Sequence, residues 1–210
     1  MAEKSGANMG HAAPDDAWLA LVQEEILEPD LAIIDPHHHL WMRNGYRYLM
    51  PELADDLASG HNIVSTVFAE CHSMYRPDGP EAERSLGETE FVAGCAAMAA
   101  SGAFGPTQAC AAMFGRVDMP LGKAVKPLLE RHLERSAGRF KGVRYSTGWD
   151  ASEGIPNVTP AEHMLLDPAV LAAAGVLAEM QLSLDVWLYH PQLPDVAKLA
   201  AALPGLTIVL

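Results

Sequence analysis

A (β/α)8 barrel, with only about the first five and a half βα units present, is the fold class this sequence predicts. Three observations point to it. From Leu31 onward, short apolar runs of strand composition alternate with longer segments of helical periodicity, the pattern of repeated βα units around a parallel sheet. Successive runs lie about thirty to forty residues apart, room for a crossover helix and a functional loop in a barrel or a doubly wound sheet. No GxGxxG follows any of them, which removes the main sequence reason to prefer a dinucleotide fold.

The strand candidates, in order, are Ala32 to His39, Ile63 to Cys71, Ala109 to Val117, Lys141 to Thr147, Leu182 to His190 and Leu206 to Leu210. Each is apolar enough to be buried on both faces of a parallel sheet. Helices are expected at Pro51 to Ser59, Glu81 to Ser101, Gly122 to Ala137, Pro168 to Met180 and Leu193 to Leu203. The third of these carries Val125, Leu128, Leu129 and Leu133 at helical spacing. Residues 1–30 read as a tail or a helical cover, with one amphipathic stretch from Trp18 to Leu27 that Pro29 stops. Residues 31–210 form the partial barrel domain.

Composition narrows the partners. The 210 residues hold 27 acidic and 14 basic side chains, a formal charge of -13 that repels nucleic acid and anionic membrane. Half the residues are hydrophobic, so a core is expected, yet no apolar run reaches the roughly 18 residues that cross a bilayer, and Met1 to Trp18 lacks a basic region followed by an apolar stretch. A cytoplasmic protein acting on a small molecule is the expectation. Cys71, Cys95 and Cys110 form no close pair and sit in apolar surroundings, which predicts free, buried thiols.

A complete barrel typically needs about 250 residues, and only about 180 follow the tail. The last run, Leu206 to Leu210, has no turn or helix after it, so truncation is expected, with self-association through open sheet edges as a consequence.

The most specific chemical feature is Asp35-Pro36-His37-His38-His39 at the end of the first strand. Side chains on a strand alternate faces, so His37 and His39 point together and His38 points away. Such a pair can converge on one ion with nitrogens at about 2.0 Å; the competing reading is a polar strand end whose imidazoles bond backbone carbonyls. His190 ends the fifth run, before Pro191, and a barrel brings that end to the same rim. It is read as a third metal ligand or as a catalytic general base. Glu70 and His72 end the second run as substrate contacts or as a solvated loop start. Arg144 ends the fourth, to fork onto a substrate carboxylate, to act catalytically on an oxyanion, or to pair with one of the many acidic residues. Trp41, Tyr75 and Trp149 lie beyond strand ends as pocket walls or packing aromatics, with Asp150 and Asp185 as polar partners.

Asp35-Pro36-His37-His38-His39-Leu40-Trp41, Gly142-Val143-Arg144, Trp187-Leu188-Tyr189-His190-Pro191-Gln192-Leu193 and Thr207-Ile208-Val209-Leu210 together resemble the amidohydrolase-2 family of metal-dependent TIM-barrel hydrolases. The resemblance runs from about Leu31 to Leu210. It implies a hydrolase acting on lactones of sugar acids or of aromatic breakdown products. It also implies that His37 and His39 are the strand-one ligands of a divalent metal, zinc in the first instance, and that His190 is the strand-five histidine. Members of this family differ in whether they hold a metal, and a subset of the superfamily decarboxylates instead. Relatives continue the sixth strand into an Asn or Asp followed by His and Gly, and carry a catalytic Asp after strand eight; both positions fall beyond Leu210.

These readings leave three expectations: a lactone-opening hydrolase using activated water, a non-catalytic fragment or assembly module, and a non-oxidative decarboxylase on the same barrel.

Overall fold

The computed structural model describes residues 14–43 and 45–210. Residues 1–13 of the expected tail lie outside the described residues. The segment that follows them carries one short helix, α1 (Asp16–Leu19), capped by the Asp15 carboxylate accepting from the Trp18 N–H at 3.1 Å. The longer helix expected over Trp18 to Leu27 does not form. Its apolar side chains Trp18, Leu21, Val22 and Leu27 are all exposed, and a helix this short has little to hold it without a face to bury.

The sheet is built from β1 (Ile33–His38), β4 (Ile63–Ala69), β5 (Gln108–Gly115), β6 (Phe140–Ser146), β7 (Ser183–Trp187) and β8 (Ile208–Val209). They are hydrogen-bonded in that order and all pairs are parallel. It is a curled half-barrel, the expected partial TIM barrel. Among the described residues β1 and β8 are its edges, each with one neighbour.

Between β1 and β4 stand a hairpin, β2 (Trp41–Arg43) and β3 (Tyr46–Tyr48), and helix α2 (Met50–Leu57). The hairpin was not anticipated, although the sequence carries its signal. Asn44-Gly45 between short aromatic runs is a preferred two-residue turn, and Gly45 has the positive φ, +79°, that such a turn requires.

The remaining helices are α3 (Leu86–Ala100), α4 (Lys126–Arg135), α5 (Pro168–Glu179) and α6 (Leu193–Ala202). The stretch expected as one helix from Glu81 is a 3-10 turn, Glu81–Glu83, followed by α3. The helix expected from Gly122 begins only at Lys126, because Gly122 sits at φ +60° inside a 3-10 segment. Helix α5 shows how local sequence sets a boundary: the Asp167 carboxylate accepts from the Ala169 N–H at 2.8 Å, and Pro168 supplies a first residue with no N–H to satisfy.

One core joins the layers. Phe68, Met113, Phe140, Val143 and Leu184 from the strands pack with Val92, Leu129, Val170 and Leu177 from the helices. At about 25 cal/mol per Å² of apolar area removed from water, that contact is the principal force holding helices to sheet. Cys71, Cys95 and Cys110 are buried free thiols. No helix among the described residues is long and apolar enough to cross a membrane.

Candidate functional site at the carboxyl ends of the strands

The C-terminal end of β1 sets the site. Pro36 has no N–H for the ladder, and such a residue belongs on an edge strand or at a bulge. Both conditions are met, since the β1–β4 register slips between Asp35 and His38. The Asp35 carboxylate accepts from the His37 N–H at 3.1 Å and fixes the irregularity. Beyond it the expected alternation holds. His37 and His39 bring their Nε2 atoms to 3.2 Å, while His38 turns away, buried against Thr66 Oγ1 at 2.8 Å.

The tautomer of His39 follows from its partner. Its Nδ1 lies 2.8 Å from the carbonyl oxygen of Ala69, which can only accept, so Nδ1 carries the proton and Nε2 keeps its lone pair. Burial drives the His39 pKa down to about 4, with His37 and Arg144 adding to the effect. His37 is lowered too, first by desolvation and then by Arg144. Both rings are therefore neutral near pH 7. Two nitrogens bound at about 2.0–2.1 Å to one tetrahedral ion would sit about 3.3 Å apart, so the pair fits a divalent cation as two of its ligands. Both readings of the histidine run are thus realised: one imidazole bonds a backbone carbonyl through Nδ1 while its Nε2 meets that of its partner.

Trp41 stacks on His39 with ring centroids 5.0 Å apart, and the Arg43 guanidinium lies 4.8 Å over the same indole. Arg43 also donates to the carbonyl of Cys71, joining the hairpin to the end of β4.

On β6 and β7, Arg144 and Asp185 are register partners, with Arg144 Nε 3.2 Å from Asp185 Oδ1. The pairing that competed with substrate binding in the sequence reading is therefore present. It is not a well-aligned hydrogen bond, because the buried Nε has no partner of proper geometry. Burial raises the Asp185 pKa against the opposing pull of Arg144 and His37. The charge of Arg144 is in turn felt at both His37 and His39.

Glu70 is buried at the end of β4, its Oε2 without a hydrogen-bond partner. Desolvation raises its pKa, opposed first by Arg116 and then by Arg144. His72 Nδ1 stands 3.7 Å from that oxygen, and desolvation with the Arg116 and Arg43 charges lowers His72 to about 4. Tyr75 packs on His72 at 5.3 Å between ring centroids.

His190 is not brought into this group. Strand β7 ends at Trp187, and His190 opens an exposed 3-10 turn, His190–Gln192, rather than ending the strand. Nearby, hydrogen bonding from Ser152 holds the Asp150 pKa down, with His190 a smaller contributor. Among the described residues no group of three or more His, Cys, Asp or Glu side chains converges as a metal site. Gln192 fixes this turn, with Nε2 donating to the Thr147 carbonyl at 2.5 Å and Oε1 accepting from the Trp149 N–H at 3.0 Å.

Sequence reasoning missed Arg43, Arg116 and Glu88. Arg116 follows the end of β5 directly, the same signal that exposed Arg144. Arg43 lies in the unanticipated hairpin, and Glu88 looked like one more acidic residue of a helix.

A parallel half-barrel with paired imidazoles at the carboxyl ends of its strands defines a member of the (β/α)8 barrel class. The amidohydrolase family model Amidohydro_2 matches residues 34–210, and the chain belongs to that family. No curated protein matches. Among solved structures, the chain is similar to a Burkholderia multivorans amidohydrolase with bound zinc, at 19% identity and TM-score 0.56 over 83% of this chain and 55% of that one. A form of a Burkholderia multivorans amidohydrolase with bound HEPES gives 17% identity and TM-score 0.52 over 84% and 55%. Amidohydrolase 2 from Bifidobacterium longum subsp. infantis gives 17% identity and TM-score 0.49 over 85% and 60%. This chain thus spans 55% to 60% of the length of those proteins.

Proposed function

We propose that the protein is a metal-dependent hydrolase that opens a lactone, or a similar ester, of a small sugar acid or aromatic-derived acid. The observation that carries this reading is the 3.2 Å approach of two neutral imidazole nitrogens at the carboxyl end of β1, in a chain of the amidohydrolase family. His37 and His39 would hold the divalent ion, zinc in the first instance. When bound, such an ion supplies Lewis acidity, making a water acidic enough to ionise near pH 7 and polarising a carbonyl.

The chain's own residues do the rest. The Ala69 carbonyl holds His39 in the tautomer whose Nε2 is free to ligate. Arg144 receives a substrate carboxylate or steadies the developing oxyanion, and Asp185 holds its guanidinium in place. Trp41 and Tyr75 wall the pocket, and Glu70 and His72 contact the substrate. His190, exposed at the head of the 190–192 turn, is given no ligand role.

The test is metal analysis of the purified chain together with a pH-indicator assay on a panel of lactones. Bound zinc and acid release, both lost in His37→Ala, support the reading. Carbon dioxide release from aromatic acids without acid from lactones overturns it in favour of a decarboxylase.

A second reading, a non-catalytic assembly module, is favoured by the two open sheet edges, where Ile34 and Val209 are exposed. Neither metal nor turnover, with concentration-dependent association on sizing, would support it.

A further inference from the structure

Glu88 lies in the first turn of α3, is 2% exposed, and takes no part in the chemistry above. Its Oε1 accepts two backbone hydrogen bonds, from the Cys71 N–H at 3.0 Å and the Ser73 N–H at 2.8 Å. Those amides flank His72, which holds a φ of +60°, and Met74 follows at +54°. Left-handed backbone at residues other than glycine is unfavourable and persists where the surroundings over-determine it.

The surroundings here do so from several directions. The Arg76 N–H donates to the Arg84 carbonyl at 3.0 Å, and Arg43 donates to the Cys71 carbonyl. Gly87 lets α3 press against the loop, since a Cβ there would meet Met74 O at 2.5 Å and Arg76 N at 2.8 Å. Of these grips, Glu88 alone takes the amides on both sides of His72.

We infer that Glu88 is a positioning residue: through Oε1 it sets the turn that presents Glu70 and His72 to the rim where His37 and His39 meet. This rests on the function proposed above only in taking Glu70 and His72 as substrate contacts; the clamp itself is measurable without turnover. The requirement is an acceptor oxygen, which glutamine keeps and alanine lacks.

The experiment is residue-resolved amide exchange and histidine ring titration by NMR on the full chain, in wild type, Glu88→Gln and Glu88→Ala, with far-UV circular dichroism and thermal melting confirming the fold. Wild type and Glu88→Gln should protect the Cys71 and Ser73 amides. In Glu88→Ala both should exchange about 10- to 100-fold faster, and His72 should titrate nearer the ordinary 6.5 than its native value of about 4. Where the lactone panel is turned over, kcat/KM should fall in Glu88→Ala and recover in Glu88→Gln. Should Glu88→Ala fail to fold, Glu88→Met replaces it, matching the chain length without an acceptor. Glu88→Gln behaving as Glu88→Ala, wild-type exchange and titration surviving in Glu88→Ala, or unprotected Cys71 and Ser73 amides in wild type would each overturn the inference. Loss of turnover across the panel with the clamp intact would count against the lactone reading alone.

Discussion

Arg144 and Asp185 face each other across neighbouring strands, guanidinium Nε to carboxylate Oδ1 at 3.2 Å. Both side chains are nearly buried, 13% and 11% exposed, so neither charge has much water to fall back on. Breaking a buried pair by removing one member leaves the other uncompensated, at a cost of about 3–5 kcal/mol, toward the low end here because some solvent reaches both. Arg144→Ala should therefore lower the urea midpoint substantially. Arg144→Lys should recover part of that loss but little turnover, because an ammonium lacks the planar fork that seats a carboxylate. Equilibrium unfolding and kcat/KM on the same three proteins separate the two effects.

Strand alternation makes the histidine run a controlled experiment. His37→Ala and His39→Ala should each strip most zinc from the purified chain, as measured by elemental analysis after dialysis. His38→Ala should retain it. That variant should instead lose about 1–3 kcal/mol of stability, because its buried imidazole meets Thr66 Oγ1 at 2.8 Å, and without it the hydroxyl keeps only the hydrogen bond it accepts from the Cys110 N–H at 2.9 Å. Zinc loss in His38→Ala with retention in His39→Ala would reverse the assignment of faces.

Two buried groups should shape acid stability in opposite directions. His132 on α4 is fully buried, hydrogen-bonded to Thr89 Oγ1 at 2.8 Å, and burial lowers its pKa from 6.5 to about 4. A depressed folded-state pKa means its stabilisation is present above about pH 6.5 and is lost as pH falls through about 4. Glu88 is raised from 4.5 to about 7, first by desolvation and then by Glu70, so its contribution is full below about pH 4.5 and lost as pH rises through about 7. Each is worth on the order of 2–4 kcal/mol, and they partly cancel between pH 4 and 7. Glu88→Gln should consequently make the chain lose more stability on acidification than wild type, read as the urea midpoint against pH. An unchanged slope would show that Glu88 titrates alike in the folded and unfolded chain.

The order of the βα units was legible because each buried parallel strand is a continuous apolar run, and Phe68, Val143 and Leu184 lie where such runs place them. The histidine pair was legible for a similarly local reason, the two-residue period of a strand. Strand ends were less so: β7 stops at Trp187 where Gln192 donates to the Thr147 carbonyl and accepts from the Trp149 N–H, a contact between distant parts of the chain that no local pattern announces. Glu88 was invisible for the same reason. Its role depends on two amides that folding delivers to it, not on its neighbours in sequence.

That displaced turn bears on whether His190 could be a ligand. A ligand must face the ion, whereas His190 is exposed, and among the described residues no third His, Cys, Asp or Glu joins His37 and His39 in a metal site. His190→Ala should therefore leave bound zinc at the wild-type level, read by elemental analysis after dialysis. Zinc lost along with activity would instead place His190 among the ligands, requiring the 190–192 turn to close over β1 when the ion binds.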